Sequence, residues 1–167
     1  MKRSLLDSYW KHSKRKADLK AGESNAIEME FGKHVTEVRI KKHKFEIHRE
    51  GFWCPQIIIK EKNEVVALQN QVGFMGVKSQ FVVDDKTYIA KTKQGASFNI
   101  TYFDDSIEIV TYRLDSLKSK PRISFEIKSL EVEELNLLLL LALGFYCVRN
   151  VALEAMGHNF TTTLASY

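Results

Sequence analysis

At 167 residues the chain suits one domain with a single core, because a chain of this size buries roughly two-thirds of its unfolded surface without disulfide or metal support. Its 44% hydrophobic and 28% charged residues, with two prolines and eight glycines, exclude a disordered or collagen-like protein. The formal charge of +4 belongs to one end: residues 1–20 hold seven basic and two acidic side chains, whereas the other eighteen basic and nineteen acidic residues nearly cancel.

In chain order, Leu5, Leu6, Tyr9 and Trp10 recur at helical spacing, so residues 4–12 read as a short amphipathic helix. With Lys14, Arg15 and Lys16 this makes a basic arm. Ala21-Gly22-Glu23-Ser24-Asn25 reads as a linker, so the predicted N-terminal segment is 1–26 and the domain proper begins near Ile27. From Lys33 the period changes to two. Val35, Glu37 and Arg39 alternate with Thr36, Val38 and Ile40, and Phe45 and Ile47 alternate with Lys44, Glu46 and His48. Further strands are predicted at 56–60, 65–69, 79–83, 87–91, 98–102, 107–113 and 123–128. Turn formers such as Lys62-Asn63, Asp84-Asp85, Gln94-Gly95 and Asp104-Asp105 separate them. Nine strands without an intervening helix exclude a βαβ architecture and predict an antiparallel meander.

The run Leu135 to Val148 is apolar on all sides, preceded by Glu131, Glu133 and Glu134 and followed by Arg149-Asn150. Leu and Ala favour helix, and this charge order suits the helix dipole. Fourteen residues reach about 21 Å, short of a ~30 Å hydrocarbon core, so the run reads as a buried helix rather than a membrane span. A closed sheet around it satisfies every side and leaves no edges. The predicted fold is thus mainly β: an antiparallel meander barrel of about nine to twelve strands over 27–150, enclosing a central helix 133–150, with a tail 151–167. Gly144 is expected where helix and wall approach closely.

Three features carry a resemblance: Phe52-Trp53 opening a strand into Ile57-Ile58-Ile59, the stretch Ile107-Glu108-Ile109-Val110-Thr111-Tyr112, and the helix Leu137 through Arg149. Over residues 33–150 the arrangement resembles the tubby C-terminal-like superfamily of tubby proteins, phospholipid scramblases and plant LURP-one-related proteins. The resemblance implies a twelve-stranded barrel around a hydrophobic C-terminal helix. The paired basic residues by which tubby proteins hold phosphoinositides, and the scramblases' calcium-binding segment, have no counterpart in this chain.

No GxSxG, GxxxxGK[ST], GxGxxG or HExxH motif occurs, and Gly73-Phe74-Met75-Gly76 is too short for a phosphate loop. His43 and His48 fall on opposite faces of one strand, and His34 and His158 lack ligand-spaced partners. The aspartate pairs sit in turns for backbone reasons. Cys54 and Cys147 form no CxxC, and no signal-peptide-like apolar segment opens the chain, which predicts a cytoplasmic protein. What remains is charge. Lys14, Arg15 and Lys16, joined with Lys41, Lys42 and Lys44, are expected to form one positive surface for phosphate groups. The expected function is a noncatalytic binding or scaffold module, without metal or cofactor, that meets anionic membrane lipid peripherally. Nucleic-acid binding by the basic arm, with Tyr9 and Trp10 as stacking partners, is the alternative; an enzyme with no recognisable motif is the third reading.

Overall fold

The computed structural model describes residues 2–51, 56–72, 78–115 and 120–156. Twelve antiparallel strands form one meander in which each pairs with its sequence neighbours. They are β1 (Tyr9–His12), β2 (Lys16–Ala21), β3 (Ser24–Phe31), β4 (Val35–Ile40), β5 (His43–Glu50), β6 (Gln56–Glu61), β7 (Glu64–Val72), β8 (Lys78–Val83), β9 (Lys86–Lys93), β10 (Phe98–Asp104), β11 (Ile107–Asp115) and β12 (Arg122–Ile127). A single helix, α1 (Glu134–Ala155), follows. Alternation decides which face is inside: Ala17, Leu19 and Ala21 of β2, Thr36, Val38 and Ile40 of β4, and Tyr88 and Ala90 of β9 are buried while their neighbours are more open.

The N-terminal segment differs from expectation. Only Lys2–Leu5 is helical, as a short 3-10 turn anchored by fully buried Leu5; residues 9–12 and 16–21 are strands. The supposed linker is the β2–β3 hairpin, with Gly22 at φ 64° supplying the left-handed turn residue. Residues 1–26 are therefore not an arm: the sheet begins at Tyr9, and β1, β2 and β3 bring nine expected strands to twelve. The Phe52-Trp53 and Gly73–Gly76 segments lie outside the described residues.

Enclosure of the helix is shown by what touches it. Leu137 through Leu143 are each at most 2% exposed. Phe145 stacks on Trp10 of β1 at 4.2 Å between centroids and lies 6.4 Å from Phe31 of β3. On the far side Asn136 donates to the Tyr88 hydroxyl of β9 at 3.1 Å, and the Tyr112 hydroxyl of β11 donates to the Leu141 carbonyl at 2.7 Å. Contacts to β1, β3, β9 and β11 mean that the sheet bends around α1. Closure is incomplete, however, because β1 and β12 do not pair. A groove lined by Tyr9, Trp10, His12 and residues 120–125 separates them. Side chains bridge it from below: Trp10 Nε1 donates to the Tyr112 hydroxyl at 2.9 Å, and Phe125 of β12 stacks on the Tyr112 ring.

One expectation about the helix changes. It runs Glu134–Ala155 rather than 133–150, and its 22 residues, against the fourteen of the apolar run, reach about 33 Å at ~1.5 Å per residue, so length no longer argues against a membrane span. Burial carries that distinction instead, since 83% of its most apolar window lies inside the protein. Gly144 is the predicted point of close approach. A Cβ there would lie 2.4 Å from Tyr112 Cε2, so the missing side chain makes room for the ring whose hydroxyl reaches Leu141.

Leu140→Asp places an unpaired charge in a dry core and is expected to abolish soluble folding. A soluble variant with native far-UV circular dichroism would show that Leu140 is not enclosed. Gly144→Ala is expected to cost about 1–3 kcal/mol by overpacking against Tyr112. Urea denaturation of the purified variant measures it.

Candidate functional site

The meander gives the sheet two unlike ends. At one end all five hairpins have two-residue connections: 22–23, 41–42, 62–63, 84–85 and 105–106. Lys41, Lys62, Asn63, Asp84 and Asp105 take positive φ there, as tight hairpins require. At the other end the connections are longer: 13–15, 32–34, 51–55, 73–77, 94–97 and 116–121. Helix α1 starts at the short-turn end, where Glu134 meets Lys41, and finishes at the long-loop end, where Arg149 donates to the Lys14 carbonyl at 2.7 Å. Binding residues concentrate on loops held by a rigid scaffold. The long-loop end is the candidate site.

Charge separates the ends in the same way. Among the described residues of the long connections, Lys14, Arg15, Lys33 and Lys120 are basic and exposed, and none is acidic. The strand termini beside them add Lys11, Lys16, Arg49, Lys78, Lys93 and Arg122 against Glu30, Glu50 and Asp115. The five two-residue connections at the short-turn end, counted with the Lys2–Ser8 stretch, hold five acidic and five basic residues. Partial burial, and after it the Arg149 charge, lower the His12 pKa, so this imidazole stays neutral near pH 7.

The expected joint surface is therefore divided. Lys14, Arg15 and Lys16 lie at the long-loop end, with Lys16 loosely paired to Glu30 at 3.8 Å. Lys41, Lys42 and Lys44 lie at the opposite end. Lys41 pairs with Glu134 at 3.1 Å and Lys44 with Glu37 at 3.0 Å, while Lys42 sits exposed in the turn. The structure does not bring the two clusters together. Trp10 is also withdrawn from base stacking, because its ring packs on Phe145 and its N–H is held by Tyr112.

Beside the last turns of α1, a cavity of about 260 Å³ opens at the long-loop end. Its walls include Ile57 of β6, Ser79 of β8, Phe98 and Ile100 of β10, and Tyr146, Cys147, Asn150 and Val151 of α1. Buried Gln69 of β7 also lines it and accepts the Tyr102 hydroxyl at 3.4 Å. Arg49 of β5 and Glu154 of α1 stand at its rim, 4.0 Å apart. One signal for this cavity is present in the sequence: Gln69 occupies the inward phase of β7, two residues after Ala67, where an apolar side chain is the rule. Asn150 gave no such signal, because at the end of an apolar run it reads as a helix terminator.

The other residues weighed for chemistry have structural partners. His43 bonds Glu61 and stacks on Phe45, whereas His48 bonds Glu46 on the other face. Asp104 pairs with Lys86 at 2.6 Å, and Asp84 and Asp105 are turn residues. His34 is exposed, while His158 and Cys54 lie outside the described residues. Among the described residues no three His, Cys, Asp or Glu side chains converge as metal ligands would. No family model, curated protein or solved structure matches the chain.

Burial raises the Cys147 thiol pKa from its ordinary 9 to about 12, against partial opposition from the Tyr102 hydrogen bond and the Arg49 charge. Burial raises the Tyr102 and Tyr112 hydroxyls as well. Since the unfolded thiol ionises first, its contribution to stability is complete below pH 9 and is lost as pH climbs from 9 towards 12. The urea midpoint is expected to fall between about pH 7 and about pH 10.5, and to fall less in Cys147→Ala. Equal slopes in the two proteins would assign the loss to the tyrosines alone.

Proposed function

We propose that the protein is a noncatalytic binding module of tubby-like architecture that seats its long-loop end on anionic phospholipid. The observation that carries this reading is the coincidence of long connections and positive charge at one end of the sheet. Near an anionic membrane surface each Lys or Arg contributes about 1 kcal/mol, so the four basic connection residues suffice for weak peripheral association. Arg149 supports the geometry by tying the β1–β2 hairpin to the end of α1, stacked 3.7 Å over the Phe31 ring. Twelve strands in sequential order around a C-terminal apolar helix support the superfamily assignment. The corresponding location is the cytoplasmic face of a membrane.

The test is co-sedimentation with phosphatidylserine-containing vesicles at low and physiological salt. Binding is expected to weaken with salt, and to fall at least about tenfold when Lys14, Arg15, Lys33 and Lys120 are all changed to Glu. Changing Lys41 and Lys42 to Glu at the opposite end should leave it unaltered. No binding at low salt, or equal losses in both variants, would remove the lipid reading. Tighter binding to single-stranded RNA or DNA than to vesicles would transfer the same basic end to nucleic acid.

A further inference from the structure

Across the groove between β1 and β12, two edges of one sheet face each other unpaired. The phase of each edge follows from the bonds that close its ladder. Ser13 donates to the Lys16 carbonyl at 2.7 Å, and bonded pairs alternate along an antiparallel ladder, so Trp10 and His12 turn their backbone N–H and C=O groups away from β2. Lys128 donates to the Ile109 carbonyl at 2.7 Å, which by the same alternation turns those of Ile123, Phe125 and Ile127 away from β11. Among the described residues no backbone bond reaches these five from across the groove. Their side chains are left open in the same way. Ile123, Phe125 and Ile127 are only half-buried, although Leu114, Tyr112 and Val110, opposite them on β11, are at most 1% exposed. Trp10 is half-buried as well, and Tyr9 beside it is 60% exposed.

Unpaired edges above an uncovered apolar floor are a template for one more strand. We infer that the groove takes an extended segment of a partner protein as an added strand, apolar at alternate positions and acidic at its C-terminal end. β12 offers six residues and β1 four, so the segment pairs with β12, in the more stable antiparallel sense, and runs parallel to β1. At ~3.4 Å per residue that pairing is about 20 Å long, within a groove of about 700 Å³. Alternate side chains of the segment meet Trp10, Ile123 and Phe125. The direction of β12 then fixes where the acid belongs. β12 starts at the long-loop end, so an antiparallel partner ends there, where Lys120 and Arg122 line the groove and, among the described residues, no acidic side chain does. Asp115 lies opposite Arg122 on β11 outside the groove lining, and Glu126 is held by Lys128 at 2.6 Å.

The probe is the peptide acetyl-STVTVTVDD-amide, titrated into the full chain and followed by amide nuclear magnetic resonance shifts and hydrogen exchange. It should shift Trp10, His12, Ile123, Phe125 and Ile127 and slow exchange at their amides. The same peptide N-methylated at alternate residues, which removes the strand donors, should not bind. The reversed peptide acetyl-DDTVTVTVS-amide should bind at least about tenfold more weakly, and Arg122→Glu should weaken the first peptide by a similar factor, as expected when a charge-assisted contact is lost. No shift at these residues up to millimolar peptide, or equal binding of the N-methylated form, would overturn the assignment. So would slow exchange at the same amides in the chain alone: protection independent of dilution would give the groove to residues 157–167 of this chain, and protection lost on dilution to a second copy. Lys120 belongs to both proposed surfaces, whereas Arg122 is absent from the vesicle variants, so vesicle and peptide binding can fail separately.

Discussion

The ring of Tyr112 lies against the bare Cα of Gly144, and its hydroxyl reaches past that residue to the Leu141 carbonyl. This contact joins three parts of the molecule. The same oxygen accepts the Trp10 indole N–H from β1, and the same ring carries Phe125 of β12. A helix that is apolar on every side must be covered on every side, and a meander with unpaired first and last strands leaves one side to be covered without backbone bonds. Tyr112 meets that need. It draws β1 and β12 toward the helix through side chains, where a closed barrel would use a ladder of hydrogen bonds.

Once the helix is enclosed, the ends of the sheet are free to differ. Two-residue hairpins with left-handed turn residues hold one end tightly, and the longer connections run at the other. Among the described residues those longer connections carry cations and no acidic side chain, and the helix meets them with its C-terminal turns. Loop length, charge and a cavity beside the last turns of α1 thus coincide. The scaffold and the proposed binding surface are separated along a single axis.

Much of this was legible from residue order. The period-two pattern from Val35 onward marks nine strands because their inward residues are large and β-branched or aromatic. The first three strands hide for a physical reason: β2 and β3 place Ala17, Ala21 and Ala26 inward, which carry little apolar signal, and Leu5, Leu6, Tyr9 and Trp10 mimic a helical period across a turn. The division of the basic clusters was hidden too. Connections of a meander alternate between ends, so whether Lys14 and Lys41 share a surface depends on the number of strands between them, and two of the missed strands, β2 and β3, intervene. The cavity depends on how far α1 runs beyond Val148, which an apolar pattern ending at Arg149-Asn150 does not reveal.

The position of α1 after all twelve strands orders events during synthesis. Every strand pairs with its sequence neighbour, so local hairpins can zip as the chain leaves the ribosome, the low-contact-order route that favours rapid folding. Their inner faces have nothing to close upon until Leu137–Phe145 emerges. Until then Tyr88, Tyr102, Tyr112 and Phe81 line an empty trough, and such exposed apolar surface is what chaperones bind and what drives aggregation. Ribosome-bound chains stalled before and after α1 are therefore two different objects, a sticky half-pipe and a filled one.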